Sequence, residues 1–185
     1  MNSIEGYEIA NRIKKRCHDC RCAAEYAQAL HIEIITRPLG NIKGMYTYAQ
    51  RFRTILLNEK LTGYEKEFIT FHEIGHDQIP EHRKLAKNGA FQEIQLFSNT
   101  TDKTELEANI IAAHLYIKEE ELREYLGGYY TLDQIASAVN APEDLVLIKL
   151  EQMKATGRFT GNIPTRPDPL FLREVGFGHD PFIID

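Results

Sequence analysis

The pentad His72-Glu73-Ile74-Gly75-His76 restricts this chain more than any other stretch, because it asks for a helix packed well enough to hold two imidazoles on one side. At about 100° of rotation per residue, His72 and His76 lie about 40° apart and one turn removed, so both rings can reach one point in space. The preceding residues fit such a helix. Phe68, Phe71 and Gly75 recur at i, i+3 and i+7, the pattern of one buried side. Asn58 or Thr62 supplies the N-cap, and Pro80 ends the pattern because it has no amide N–H.

Two imidazoles and a carboxylate at this spacing suit a hydrolytic zinc. A catalytic zinc takes three protein ligands and leaves a position for water, whose pKa it lowers to about 7. Glu73 then acts as general acid/base, moving a proton from the attacking water to the leaving amine, which is peptide hydrolysis. The pentad does not fix the third ligand. His82 follows His76 at the spacing of His-Glu-x-x-His-x-x-Gly-x-x-His, but Ile79 stands where that pattern needs glycine and Pro80 alters the turn. Glu105 and Glu107 are the other candidates, on a helix whose Ala108, Ala112 and Ala113 allow close approach to a neighbour. They differ by about 200° in azimuth, so at most one points at the ion.

A chain of 185 residues, 43% hydrophobic and 26% charged, can bury a core and suits one domain with a small appendage. The sequence has no apolar run of about 18 residues and no apolar leader after Met1, so a cytoplasmic, non-membrane protein is expected. A net charge of -5 argues against nonspecific binding to nucleic acid. All three cysteines fall in Cys17-His18-Asp19-Cys20-Arg21-Cys22, with no further cysteine to complete a structural zinc site. Residues 7–30 read as one continuous helix with Ile9, Ile13, Cys17, Cys20, Ala24, Ala27 and Leu30 on one stripe, so these thiols are expected reduced and half-buried.

Three strand-like runs follow, at residues 32–36, 45–49 and 54–58, with the runs at Tyr46 and Ile55 as candidate sheet edges able to hold an extended peptide. A second helix over residues 102–125 carries Leu106, Ile110, Ala113 and Ile117 as its core stripe and stops at Gly127-Gly128. Residues 131–139 and 142–156 have the outline of a helix-turn-helix. The remainder, rich in Gly and Pro, reads as irregular structure, with the segment at His179-Asp180 a candidate to occlude the cleft. The order of elements gives an α+β fold, divided as 1–126, 127–158 and 159–185.

The run Phe68-Ile69-Thr70-Phe71-His72-Glu73-Ile74-Gly75-His76, followed by Glu105-Leu106-Glu107-Ala108-Asn109-Ile110-Ile111-Ala112, resembles the ImmA/IrrE family of metallopeptidases. Ile55-Leu56-Leu57-Asn58 is similar to the strand and asparagine that the family places before its zinc helix. Ile111 stands where the family has phenylalanine, and His114-Leu115-Tyr116 replaces its leucine pair and Met-Pro. The resemblance implies a three-stranded sheet on a zincin-like helical core. It also implies a cytoplasmic Zn2+ peptidase, from a phage or other mobile element, that cleaves a helix-turn-helix repressor. Carried over by position, His72, His76 and Glu107 are the metal ligands and Glu73 the acid/base. Tyr116, Tyr129, Tyr130, His82 and His114 are all chemically able to stabilise an oxyanion, and the sequence does not choose among them.

Two other functions compete. One is a DNA-binding regulator using residues 131–156, although Glu143 and Asp144 at the start of its second helix would repel phosphates. The other is a non-catalytic, zinc-containing antirepressor.

Overall fold

The computed structural model describes residues 1–87 and 103–164. Two helices form the centre of the protein: α3 (Gly63–Gln78) and α5 (Lys103–Tyr116) pack along each other. Ten consecutive residues of α3, Phe68 to Asp77, are buried, and so are Glu107 to Leu115 on α5. A helix buried on all sides needs neighbours on all sides. For α3 these are α2 (Ala23–Ala29), β2 (Gly44–Ala49), β3 (Phe52–Asn58) and α4 (Pro80–Lys87). For α5 they are α1 (Ser3–Arg16) and α8 (Glu143–Ala155). The bulk of the stabilisation sits here, since burying each of Phe68, Ile69 and Ile74 contributes roughly 1.5–3 kcal/mol.

The sheet has the order β1-β3-β2, with β1 (Glu33–Arg37) parallel and β2 antiparallel to β3. Tyr46 pairs with Ile55 and Gly44 with Leu57, and these four buried residues form the face turned to α3. The α+β class with a small three-stranded sheet is therefore as expected. Of the two expected edges, Tyr46 lies on an outer strand, whereas Ile55 lies on the central one because β3 pairs on both sides.

Residues 7–30 are not one helix. The chain leaves α1 at Cys17 and re-enters a helix at Ala23, because α1 packs on α5 while α2 packs on α3. The turn shifts the buried register by one residue, so Ala23 is buried and Ala24 exposed. Cys17 is buried, and Cys20 and Cys22 are partly so; all three are free thiols. The helix expected over residues 102–125 is likewise broken, with α6 (Glu119–Arg123) restarting after an extended Lys118. Leu106, placed in its core stripe, is exposed instead. Thr62 occupies the N-cap position of α3 but makes no side-chain capping bond, while Asn58 donates its side-chain amide to the carbonyls of Gly40 and Ile42 and so shapes the loop before β2. Pro80 does not end helical structure but opens α4, at a first-turn position where no amide N–H is needed.

The helical pair is present as α7 (Leu132–Ala138) and α8, with Asn140 in the left-handed region between them. Leu145, Val146, Lys149, Leu150 and Met153 of α8 are buried, and α8 lies on α5. The proposed tail contact through His179-Asp180 lies outside the described residues.

Candidate metal and catalytic site

Close helix packing builds the site. A Cβ added at Gly75 would lie 2.9 Å from the Ala108 carbonyl oxygen and 3.1 Å from its Cα, so only glycine lets the α5 backbone approach the pentad this closely. This contact sets the orientation of α5. Residues 105, 108, 109 and 112 share one face within about 100°, and with Ala108 on Gly75 that face looks at the histidines.

The side chains from that face meet the pentad. His72 Nε2 lies 3.0 Å from His76 Nε2 and 3.2 Å from Glu105 Oε2, and His76 Nε2 lies 3.5 Å from Glu105 Oε1. Donors bonded at about 2.0–2.1 Å in a tetrahedron are about 3.3 Å apart, so the spacing fits one shared transition-metal ion. Proton placement agrees. His72 Nδ1 faces the Asn109 Oδ1 acceptor at 2.8 Å, so this nitrogen carries the hydrogen and Nε2 keeps its lone pair. Among the described residues the buried Glu105 Oε2 has no hydrogen-bond partner although Nε2 is near, as expected for two lone-pair atoms turned toward a common cation. His72, His76 and Glu105 thus fit a metal through an N, N, O donor set.

Electrostatics keep these groups in ligand form. Burial holds His76 down to about 4, against the pull of Glu105, so the ring is neutral at physiological pH. Burial works to raise the Glu105 carboxyl, but hydrogen bonding and charge from His72 and His76 outweigh it and hold it well below the usual carboxylate range.

Glu107, the carboxylate that family position selects, is not at this cluster. It lies about 200° around α5 from Glu105, where it accepts from the Met1 amino group and sits 3.1 Å from His82 Nε2. The third donor that the geometry brings to the pentad is therefore Glu105. The alanines contained the signal, since Glu105, Ala108 and Ala112 follow i, i+3, i+7 and Glu107 is off that stripe. His82 is also away from the donor atoms, with its Nδ1 3.1 Å from the outward-facing Nδ1 of His76.

Glu73 is buried on the sheet side of α3. A Cβ on Gly44 would lie 2.7 Å from Glu73 Oε1 and 2.6 Å from Ile69 Cγ2, so the absence of a side chain at the start of β2 makes room for the carboxylate. Sequence reasoning had no reason to single out Gly44 or Asn109. It also missed Asp77, fully buried at the end of α3, which accepts from Tyr46 Oη at 2.7 Å and pairs with Arg53 at 3.2 Å, tying the helix to the sheet.

The oxyanion candidates are engaged elsewhere. Tyr116 donates to the Asn140 carbonyl, Tyr129 is fully exposed, and Tyr130 stacks edge-on with Tyr125. His114 is buried, with Nδ1 3.0 Å from Lys149 Nζ.

Among the described residues no helix is long and apolar enough to cross a membrane. The chain is similar to "Uncharacterized immunity region protein 2" of Bacillus phage phi105, with 34% identity over 132 residues, 70% of this chain and 80% of the phage protein. Residues 27–151 match the M78 peptidase family, described as the IrrE N-terminal-like domain. With a match over more than half of its length, enclosing the pentad and Glu105, the chain belongs to the ImmA/IrrE-type M78 metallopeptidase family.

Proposed function

We propose that this chain is a zinc endopeptidase that cuts a regulatory protein in the cytoplasm, a helix-turn-helix repressor, with His72, His76 and Glu105 as ligands and Glu73 as acid/base. The observation that carries the reading is the convergence of those three donors beside a buried glutamate, in a chain of a metallopeptidase family. When bound, zinc supplies a Lewis acid that polarises the scissile carbonyl and acidifies water. Asn109 holds His72 in the tautomer that ligation requires. Glu73 takes one proton from the attacking water and delivers it to the amide nitrogen as the C–N bond breaks. The edge strand β2 begins at Gly44 against Glu73, so an extended peptide added to it would run past the carboxylate. The immunity-region name of the phage relative supports a repressor as substrate.

The inward-facing α8 supports a packing role for the helical pair and no direct DNA binding. The test is incubation with the repressor encoded beside this gene, with and without chelator, followed by intact mass. Two fragments that vanish with chelator are expected, and Glu73→Gln should keep one zinc per chain while losing 10²–10⁴-fold in cleavage, roughly the worth of a general acid/base. An intact repressor beside the zinc-loaded wild type would favour the non-catalytic antirepressor.

A further inference from the structure

The buried groups behind His76 form a line that the proposed chemistry does not use. His76 Nδ1 lies 3.1 Å from His82 Nδ1, and His82 Nε2 lies 3.1 Å from Glu107 Oε2. His76 is 2% exposed, His82 0% and Glu107 7%. Glu107 Oε1 is occupied by the Met1 amino group, with Lys103 Nζ at 3.7 Å, so Oε2 is the oxygen left for His82. Both residues were ligand candidates, and both sit on the side of His76 away from the metal donors.

We propose that His82 and Glu107 are positioning residues that select the tautomer of His76 and so present its Nε2 to the metal; the proposal rests on the zinc-site reading above. A carboxylate only accepts hydrogen bonds, so the His82 nitrogen facing Glu107 carries the hydrogen. A neutral imidazole has one N–H, which leaves His82 Nδ1 as an acceptor. The His76 nitrogen opposite it must then donate, which places the hydrogen on His76 Nδ1 and the lone pair on Nε2. Two rings whose Nδ1 atoms face each other complete the line only when one donates and the other accepts. The two ligand histidines are thus set by different devices. His72 uses a side-chain amide from the helix that carries Glu105, and His76 uses an imidazole and a carboxylate bridging α4 and α5.

Without His82 the hydrogen at Nδ1 loses this acceptor. Any fraction of His76 protonated at Nε2 points that hydrogen into the donor cluster and cannot ligate, so apparent metal affinity falls by the competent fraction. Groups that orient metal-bound histidines are typically worth 10–100-fold in affinity.

The experiment is zinc competition against a chromophoric chelator at pH 7.5 on the full chain, combined with nitrogen NMR of the metal-free protein. His82→Ala should weaken zinc by 10–100-fold at unchanged stoichiometry, and His82→Gln, whose carbonyl can accept from His76, should recover most of the loss. In the metal-free wild type, His76 should be the Nδ1–H tautomer, and in His82→Ala a mixture. Glu105→Gln separates this proposal from the reading under it. If that variant binds zinc like the wild type, the site itself is wrong; if it loses zinc while both His82 variants bind normally, only the positioning role is overturned. A wild-type His76 carrying its hydrogen on Nε2 overturns the proposal whether or not the variants fold.

Discussion

Replacing Gly44 by alanine perturbs the proposed acid/base without touching a metal donor. Gly44 does not have positive φ, so its backbone suits an L-residue and the whole effect comes from the added methyl. That methyl would lie 2.7 Å from Glu73 Oε1 and 2.6 Å from Ile69 Cγ2. Ordinary contact is about 3.4 Å or more, so a gap of roughly 0.7 Å has to be found. Ile69 is fully buried and has little room to yield, which leaves Glu73 or the start of β2 to move. Overpacking of this kind costs about 1–3 kcal/mol of stability. Displacing a catalytic group by about 1 Å costs about 10²-fold in rate. The expected result is a fall of about 10²-fold in kcat on the cleaved repressor, with zinc affinity within a few-fold of wild type, because the atoms nearest the added methyl belong to Ile69 and Glu73 and to none of the three donors. Steady-state cleavage with parallel chelator competition reads both quantities. An unchanged kcat in a folded Gly44→Ala protein would refute the assignment of Glu73 to this pocket, and an equal loss of zinc would show that the clash spreads to the donors.

Two further substitutions probe the frame. Asp77→Ala strips the acceptor from buried Tyr46 and from Arg53, so about 3–5 kcal/mol of stability and roughly 10 °C of Tm should be lost, while Asp77→Asn, which still accepts from Tyr46, should lose less; equal melting of all three proteins would sink the claim that this contact ties α3 to the sheet. Lys149 is pressed down to about 7 by burial and by the charge of Lys14. Because its folded pKa lies below its unfolded one, the unfolded state binds the extra proton between about pH 7 and 10, and this group makes stability rise with pH across that window. Urea midpoints of Lys149→Met at pH 6, 8 and 9.5, with chelator present, should show a flatter rise than wild type, and parallel curves would mean that Lys149 is charged in the fold.

Where the spacing runs unbroken inside one element, local pattern was enough. Phe68, Phe71 and Gly75 recur at i, i+3 and i+7 within α3, and the alternation through Gly44 and Tyr46 stays within β2, so α3 and the sheet could be read directly. The helical pair at residues 131–156 was legible for the same reason, with Leu132, Ile135 and Leu145 buried at helical spacing. The first helix failed because two partners share its stripe. Ile13 and Cys17 belong to the side that meets α5, Ala27 and Leu30 to the side that meets α3, and an apolar series that continues across both hides the turn at residues 17–22.

The carboxylate that the fold brings to the pentad was hidden by a related ambiguity. Helix α5 is buried over most of its length because it is covered by α1, α3 and α8, so periodicity cannot say which of its faces meets the pentad. Glu105 and Glu107 then look equivalent by sequence, and alignment by motif chose the residue next to Ala108. What breaks the tie is a contact between two small residues, Gly75 and Ala108, which orients the whole helix. Once that point is fixed, each polar residue on α5 has one place to go: Glu105 to the two Nε2 atoms, Asn109 to His72 Nδ1, Glu107 to His82 and His114 to Lys149. Four polar side chains on a buried helix, taken up by His72, His76, His82 and Lys149, would be stranded several at once by a rotation of α5. The cost of stranding buried polar groups thus holds the donor carboxylate in register with the pentad.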